Sequence, residues 1–238
     1  MRAATAPALL ALLGATLLAA CGRPSGPASL FPLEPGRRWV YDVASEYENN
    51  VVEHQTRTIT TEGEDRLPQG GSAWRRRSAD GVDWWLRVDD GGVYRVASKS
   101  DLEAEPVADA HKRYVLKAPI AVGTGWQATT TAYLLRRRQE FPPEIRHSHP
   151  AVPMNYTIEA LGEKVATRAG SFEHCVRVKG VAALRLFADP VVGWKDMALT
   201  TTEWYCPGAG LVKLLRDEPA ESTFLTGGKL TMELVEFH

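Results

Sequence analysis

The stretch FPLEPGRRWVYDV, residues 31–43, decides the fold of this chain. It begins with a segment rich in Pro and Gly, and from Arg38 onwards the apolar residues Trp39, Tyr41 and Val43 alternate with other side chains. An alternation with a period of two is typical of a β-strand that buries one of its faces. The pattern therefore predicts a turn that leads into a strand, with Trp39 as its first buried residue.

A second copy of this pattern follows later in the chain, as APIAVGTGWQATT at residues 118–130. The proline, glycine and tryptophan have the same spacing in both copies: Pro32, Gly36 and Trp39 match Pro119, Gly123 and Trp126. Two further segments read as an aromatic strand, a Gly-rich turn and an apolar strand that ends in a cation: Trp84–Arg95 and Trp204–Lys213. We therefore predict one domain at 31–238, built from two related half-units at about 31–100 and 117–238.

Alternating strand formers also dominate the rest of the chain, with Gly, Pro and Asp-Gly breaks between them. About eleven strands result, and only residues 101–113 favour a helix, which Pro106 interrupts. Three segments have no regular pattern: 99–112, 136–153 and 187–198. Because no helices alternate with the strands, the sheet should be antiparallel. The predicted fold class is all-β: a single large antiparallel sheet, strongly curved or closed into a partial barrel, with few short helices.

The N-terminal residues have the composition of an export signal. Arg2 precedes an almost uncharged apolar run from Ala8 to Ala20, which ends at Cys21. The run is shorter than the about 20 apolar residues that a membrane span needs, and it fits a signal peptide at residues 1–20. The stretch Leu18–Cys21 resembles the lipobox of bacterial lipoproteins, which implies that Cys21 is lipidated and becomes the mature N-terminus. The alternative is an ordinary secretory peptide with an incidental cysteine.

Residues 22–30, GRPSGPASL, are rich in Gly, Pro and Ser and lack an apolar period. They predict a flexible tether at 21–30 between the lipid and the domain. The residue after Cys21 is Gly22 rather than Asp, and by resemblance to proteobacterial lipoproteins this favours the outer membrane over retention in the inner membrane. We therefore expect a protein of the cell envelope that a palmitate-containing lipid anchors to the membrane, facing the periplasm.

The net charge bears on whether nucleic acid is a partner, and the number of cysteines bears on whether the domain contains a disulfide. The chain has 28 basic and 29 acidic residues, so no overall field attracts nucleic acid, and we expect no such partner. With Cys21 lipidated, Cys175 and Cys206 remain as an even pair in an oxidising compartment. A disulfide between them would close a loop of about 30 residues and stabilise the fold by roughly 3 kcal/mol. The alternative is two separate buried thiols.

No motif of catalysis or cofactor binding is complete in this sequence. His147 and His149 have the spacing of two metal ligands on a strand, but prolines surround them and no third ligand is evident, so we interpret them as part of a solvated loop. GTGWQA at 123–128 matches a dinucleotide fingerprint, but a strand rather than a helix follows it. We expect no catalytic residue, no metal and no cofactor, and a hydrolytic enzyme is the less favoured alternative.

Two arginine triplets are the strongest local concentrations of charge. Alternate arginines on a strand face opposite sides, so one of each triplet must find a partner or lie on the open face of the sheet. One interpretation is paired or snorkelling side chains. The other is a contact surface for lipid phosphate or polysaccharide, formed by Arg75, Arg76, Arg77, Arg136, Arg137 and Arg138. Of the adjacent Trp84 and Trp85, one should point inward and the other toward a contact surface.

Three segments carry a resemblance to a known group: FPLEPGRRWVY, AGSFEHCVRV at 169–178 and WYCPGAGLVK at 204–213. Together they resemble a group of uncharacterised bacterial lipoproteins. The resemblance covers both ends of the folded region and its second half. It implies a lipoprotein but no activity, and it assigns no catalytic residue to this chain.

Two functions follow from a lipid-anchored β domain. The first is a non-enzymatic structural or interaction component of the envelope, which contacts other envelope proteins through its Arg-rich and Pro-rich loops. The second is a carrier of an apolar ligand or lipid in the concave face of the sheet, by fold-level analogy with envelope proteins of the LolA and LolB type. An open apolar cavity of several hundred cubic ångströms would favour the carrier, and a filled core would exclude it.

Overall fold

The computed structural model describes residues 26–238. The predicted signal peptide at 1–20 and the predicted lipidation site Cys21 lie outside the described residues. The elements in chain order are α1 (Pro27–Leu30), β1 (Arg38–Tyr47), β2 (Val52–Arg66), β3 (Ser72–Ser78), β4 (Asp83–Asp89), β5 (Gly92–Lys99), β6 (Val107–Lys117), β7 (Gly125–Thr130), β8 (Arg136–Arg137), a 3-10 helix (Ile145–His147), β9 (Val152–Thr167), β10 (Gly170–Asp189), β11 (Gly193–Cys206), β12 (Gly210–Glu218), β13 (Leu225–Thr226) and β14 (Gly228–Phe237).

One antiparallel sheet contains twelve of these strands, in the order β6-β5-β4-β3-β2-β1-β14-β12-β11-β10-β9-β7. The sheet curves into a nearly closed, barrel-like wall, and β8 and β13 form a separate short pair. The predicted all-β fold class is therefore confirmed. Within residues 26–238, no helix has the length and apolar composition that crossing a membrane requires.

Each half of the chain contributes six consecutive positions to the sheet: β1 to β6 in one half, and β7, β9, β10, β11, β12 and β14 in the other. Trp39 and Trp126 lie in the first strand of each six, and Trp84 and Trp204 lie in the fourth. The β1–β14 pair joins the two halves, whereas β6 and β7 are the two edge strands and approach each other without forming a ladder. We call this gap in the hydrogen-bonded wall, between β6 and β7, the seam.

The first half extends to Lys117, beyond the limit predicted at about residue 100, because 107–117 form β6. The prediction of a helix over 101–113 is therefore wrong. In this segment the backbone groups pair with β5, which places Ala97 opposite Ala108 and outweighs a weak helical preference.

Two other predicted boundaries also differ from the structure. Residues 187–198, predicted to be irregular, form the hairpin between β10 and β11, and the side chain of Asp189 closes its turn by accepting hydrogen bonds from the amides of Val191 and Val192 (2.8 and 2.7 Å). The folded part begins at Pro27 rather than Phe31, because Pro27–Leu30 form a helical turn that buries Leu30 completely. The end of the predicted tether thus belongs to the domain.

Candidate functional site

The concave side of the sheet forms an open cavity of about 310 Å³, which a smaller space of about 130 Å³ adjoins. Both are lined by Arg57, Arg113 and Glu203, so they are parts of one interior region. Small-molecule sites in proteins are usually about 300–1,000 Å³. The core of this barrel-like sheet is therefore incompletely filled, as a ligand site requires.

Strand alternation places the lining side chains on one face. Tyr41 of β1 lies opposite Arg57 of β2, and Arg76 of β3 lies opposite Trp84 of β4, so each pair projects to the same side of the sheet. Most of the other lining side chains are aromatic or aliphatic, and they come from both halves of the chain: Phe31, Ile59, Leu86, Ala128, Tyr156, Tyr205, Leu214 and Met232. An apolar wall with a few polar groups is typical of a ligand site.

Arg76 is the most unusual side chain of this wall. It is only 7% exposed, and its guanidinium carbon lies 4.7 Å from the ring centre of Phe31 and 4.1 Å from that of Trp39. Its Nε has no hydrogen-bond partner in the described part of the chain. Burial lowers the pKa of Arg76 to about 10, so the group stays charged at neutral pH. Burying a cation without a carboxylate partner is costly, because the charge loses part of its hydration and gains no counter-ion.

Two of the other arginines in the wall are neutralised. Arg95 donates two hydrogen bonds to Asp109, at 2.7 and 2.5 Å, and Arg216 donates to Glu218 at 2.7 Å. Arg113 lies directly opposite Arg95 in the ladder, and burial followed by the charge of Arg95 lowers its pKa. Arg113 forms no ion pair within residues 26–238.

Within residues 26–238, Glu203 is the one carboxyl group that lines both spaces. It accepts hydrogen bonds from the Tyr205 hydroxyl (2.5 Å) and more weakly from the Thr201 hydroxyl (3.4 Å). Burial raises its pKa, which favours the uncharged form. Among residues 26–238, the wall therefore has three arginines without an ion pair, Arg57, Arg76 and Arg113, and one carboxyl group, Glu203, whose burial favours its uncharged form, so positive charge is in excess.

Replacing Glu203 with glutamine is expected to stabilise the protein at neutral pH but not in acid. Because its pKa is raised above the ordinary 4.5, the folded protein holds this proton more tightly than the unfolded chain. Stability is then lost as the pH rises from 4.5 towards the raised value, and glutamine abolishes that loss. Urea unfolding at about pH 4 and about pH 7.5 tests this. A variant less stable than the wild type at the higher pH would contradict it.

The first arginine triplet does not form one surface. Arg76 faces the cavity, whereas Arg75 and Arg77 lie on the opposite face of β3, where Arg75 approaches Asp65 (3.4 Å) and Arg77 donates to Asp83 (2.7 Å). The three guanidinium groups therefore do not share one face of β3, because adjacent strand residues project to opposite sides.

The second triplet begins the Pro-rich segment, residues 136–153, and holds it in place. Arg136 pairs with Glu53 at 3.1 Å and lies over the ring of Tyr47. Arg137 pairs with Glu140 at 3.1 Å, and Arg138 donates to the carbonyl of Leu225 and the hydroxyl of Thr226, both at 3.0 Å. These contacts correspond to the paired interpretation, because each guanidinium has a partner within the domain.

The adjacent tryptophans also face opposite sides, and neither is an exposed side chain. Trp84 lines the cavity. Trp85 faces the other side, but it is only 3% exposed because it packs with Leu67, Ala73 and Ala97 in a small separate cluster. The Nε1 of Trp85 donates a hydrogen bond to Asp65 (3.1 Å).

Cys175 and Cys206 form a disulfide between β10 and the end of β11, and both are fully buried. Neither thiol is therefore free to bind a metal. His147 lies 3.5 Å from Glu144, and the ring of His149 hydrogen-bonds with the hydroxyl of Ser148. Over the part of the chain from Gly26 onwards, no three His, Cys, Asp or Glu side chains are arranged to hold a metal ion.

Exposed apolar side chains collect at the β10–β11 turn and beside it. This group, called the apolar tip below, consists of Phe187, Val191, Val192, Trp194 and Phe224. The rings of Phe187 and Trp194 meet edge to face at 6.0 Å, and Val191 is 95% exposed. A depression of about 440 Å³ lies between this group and the Pro-rich segment.

No protein-family model and no curated protein matches this chain. Similar solved structures include a candidate lipoprotein from Parabacteroides distasonis ATCC 8503, at 15% identity and a TM-score of 0.42, covering 88% of this chain and 98% of that one. Another is a candidate exported protein with a YmcC-like fold from Bacteroides fragilis NCTC 9343, at 12% identity and a TM-score of 0.41, covering 87% of this chain and 98% of that one. Likenesses of this degree assign no function.

Proposed function

We propose that this chain is a lipid-anchored protein of the cell envelope that carries an apolar molecule inside its curved sheet. The observation that carries this proposal is the cavity of about 310 Å³ in the concave side of the sheet, with its aromatic and aliphatic lining. The lipobox-like stretch that ends at Cys21 and the following Gly22 support a location at the outer membrane, facing the periplasm. A carrier at that place would shield an acyl chain from water.

The seam supports the proposal by giving the cavity a border that can open. Residues of both edge strands line the cavity, namely Tyr114 and Val115 of β6 and Ala128 of β7. Elsewhere in the wall, neighbouring strands are joined by ladders of backbone hydrogen bonds. Separating β6 from β7 would break no ladder, so a ligand can pass there at a lower cost than anywhere else along the sheet.

Filling the cavity is expected to abolish ligand binding. Ala128 lines it on β7, and a phenylalanine at this position would occupy space that the ligand needs. We expect wild-type protein to bind the uncharged fluorophore N-phenyl-1-naphthylamine saturably, and Ala128→Phe to bind it at least about tenfold more weakly. Fluorescence titration measures both affinities.

The matched control is Ala198→Phe, which makes the same change at an exposed position of a strand. Circular dichroism shows whether each variant is folded. The carrier proposal is contradicted when wild-type protein shows no saturable binding, or when the folded Ala128→Phe variant binds as tightly as the control.

The second candidate function is a structural or interaction component of the envelope. The apolar tip favours it, because contiguous exposed apolar side chains often mark contact sites. This function and the carrier use different parts of the domain, so the Ala128→Phe variant would leave it intact.

A further inference from the structure

Arg76 gives the cavity a chemical preference. We infer that the molecule in the cavity is a single-chain amphiphile with an anionic head group, and that Arg76 binds this head group. The inference rests on the proposed carrier function and adds the charge and class of the ligand.

Arg76 is a buried charge that has no counter-ion among residues 26–238. Arg76 faces the cavity, is more than nine-tenths buried, and leaves its Nε without a partner among residues 26–238. The titratable groups that act on its pKa are the hydroxyls of Tyr41 and Tyr205, which burial keeps uncharged at neutral pH, and no carboxylate is among them. The rings of Phe31 and Trp39 compensate only part of the desolvation cost. An anionic ligand would supply the missing partner.

The shape of the Arg76 guanidinium also suits an anionic head group. A guanidinium is planar and presents its N–H groups as a fork that matches a carboxylate or a phosphate. The ring centres of Phe31 and Trp39 lie 4.7 and 4.1 Å from the guanidinium carbon, and this packing limits the movement of the group, so less conformational freedom would be lost when the ligand binds.

The residues that line the cavity around Arg76 also carry an excess of positive charge. Arg57 lies opposite Tyr41, whose side chain is close enough for both Arg57 and Arg76 to act on its pKa. Arg113 adds another cation that has no ion pair in the described part of the chain, and burial favours the neutral form of Glu203. A negative head group would therefore enter a region of positive potential that the apolar walls strengthen.

The size of the cavity restricts the rest of the ligand. A space of about 310 Å³ is at the lower end of the range for small-molecule sites, which favours one hydrocarbon chain over the two or more chains of a membrane phospholipid. The aromatic and aliphatic lining fits such a chain.

Three ligands with the same sixteen-carbon chain test the inference: palmitate, hexadecyl phosphate and 1-hexadecanol. Each competes against the fluorophore N-phenyl-1-naphthylamine for the full-length protein. We expect at least one of the two anions to bind at least about tenfold more tightly than the alcohol, since a charge-assisted hydrogen bond contributes this much or more. The better of the two anions identifies the head group as a carboxylate or a phosphate.

Arg76→Met keeps an unbranched apolar side chain in place of the aliphatic part of the arginine and removes the charge. It is expected to reduce the affinity for the preferred anion to that for the alcohol, without changing the affinity for the alcohol. The control Arg75→Gln alters the adjacent arginine, which lies on the opposite face and is partly exposed. Arg76→Lys, which keeps the charge but loses the fork, should give an intermediate affinity and serves if Arg76→Met does not fold.

The empty protein gives a second readout. Removing a buried, unpaired charge should raise the denaturation midpoint of Arg76→Met without ligand, whereas loss of a purely structural residue would lower it. Equal binding of the three ligands, or a less stable Arg76→Met variant with unchanged anion affinity, overturns the inference and leaves the carrier proposal standing. If the fluorophore binds but none of the three ligands displaces it, the inference is overturned and the carrier proposal stands; if the fluorophore does not bind saturably either, the carrier proposal is overturned as well.

Discussion

Replacing Glu218 with alanine is expected to lower the free energy of unfolding by about 3–5 kcal/mol. Its carboxylate is completely buried and accepts a hydrogen bond from Arg216 at 2.7 Å. It also accepts hydrogen bonds from the backbone amides of Tyr133, Leu134 and Leu135, at 3.0, 2.8 and 3.2 Å. Alanine would leave a buried guanidinium without its counter-ion and three amides without an acceptor, each of which carries a desolvation cost.

The same substitution should disturb the cavity, because Tyr133 lines it and Glu218 holds the segment that carries Tyr133. Urea unfolding measures the loss of stability as a lower midpoint. The control is Asp196→Ala, which removes an exposed partner of Arg185 at 3.4 Å and should cost at most about 1 kcal/mol. Similar midpoints for the two variants would contradict the role assigned to Glu218.

Removing the disulfide is expected to cost about 3 kcal/mol, because the cross-link limits the freedom of the unfolded chain. Cys175 and Cys206 are separated by 31 positions in sequence. The double variant Cys175→Ala/Cys206→Ala should therefore unfold at a lower urea concentration than the wild type. Both sulfur atoms are buried, so lost packing adds to this effect.

Dithiothreitol provides the internal control for the disulfide. It should lower the midpoint of the wild type and leave that of the double variant unchanged. If dithiothreitol leaves the urea midpoint of the wild type unchanged, and the double variant is as stable as the wild type, then this bond does not contribute to the stability of the fold.

The fold class can be predicted from the sequence, because apolar and other residues alternate clearly along many segments of the chain. Trp39, Tyr41 and Val43 specify a half-buried strand, and repetition of such patterns predicts an antiparallel sheet. The segment at 107–117 is different, because its strand depends on pairing with β5. Sequence patterns do not carry that information, which is why they predict a helix where the structure has an edge strand.

The cavity was less accessible to sequence analysis. Arg57 and Ile59 are two positions apart on one strand, so their side chains lie on the same face of the sheet. Because Ile59 is apolar, this spacing predicts that Arg57 points inward. Arg76 is harder to place, since three consecutive arginines have no alternation, and only the pairing of Arg76 with Trp84 decides which arginine points inward. Whether an interior is filled depends on side-chain packing across the whole sheet, which no local pattern specifies.

The central claim, that the curved sheet holds a molecule in its interior, is tested most directly by native mass spectrometry of the full-length protein purified from cells in mild detergent. Any covalently attached lipid is read from the mass of the denatured chain. The account predicts that the native protein has the additional mass of one non-covalently bound anionic amphiphile, and that Ala128→Phe loses it while Ala198→Phe retains it. Native and denatured masses that agree for the wild type would contradict the account.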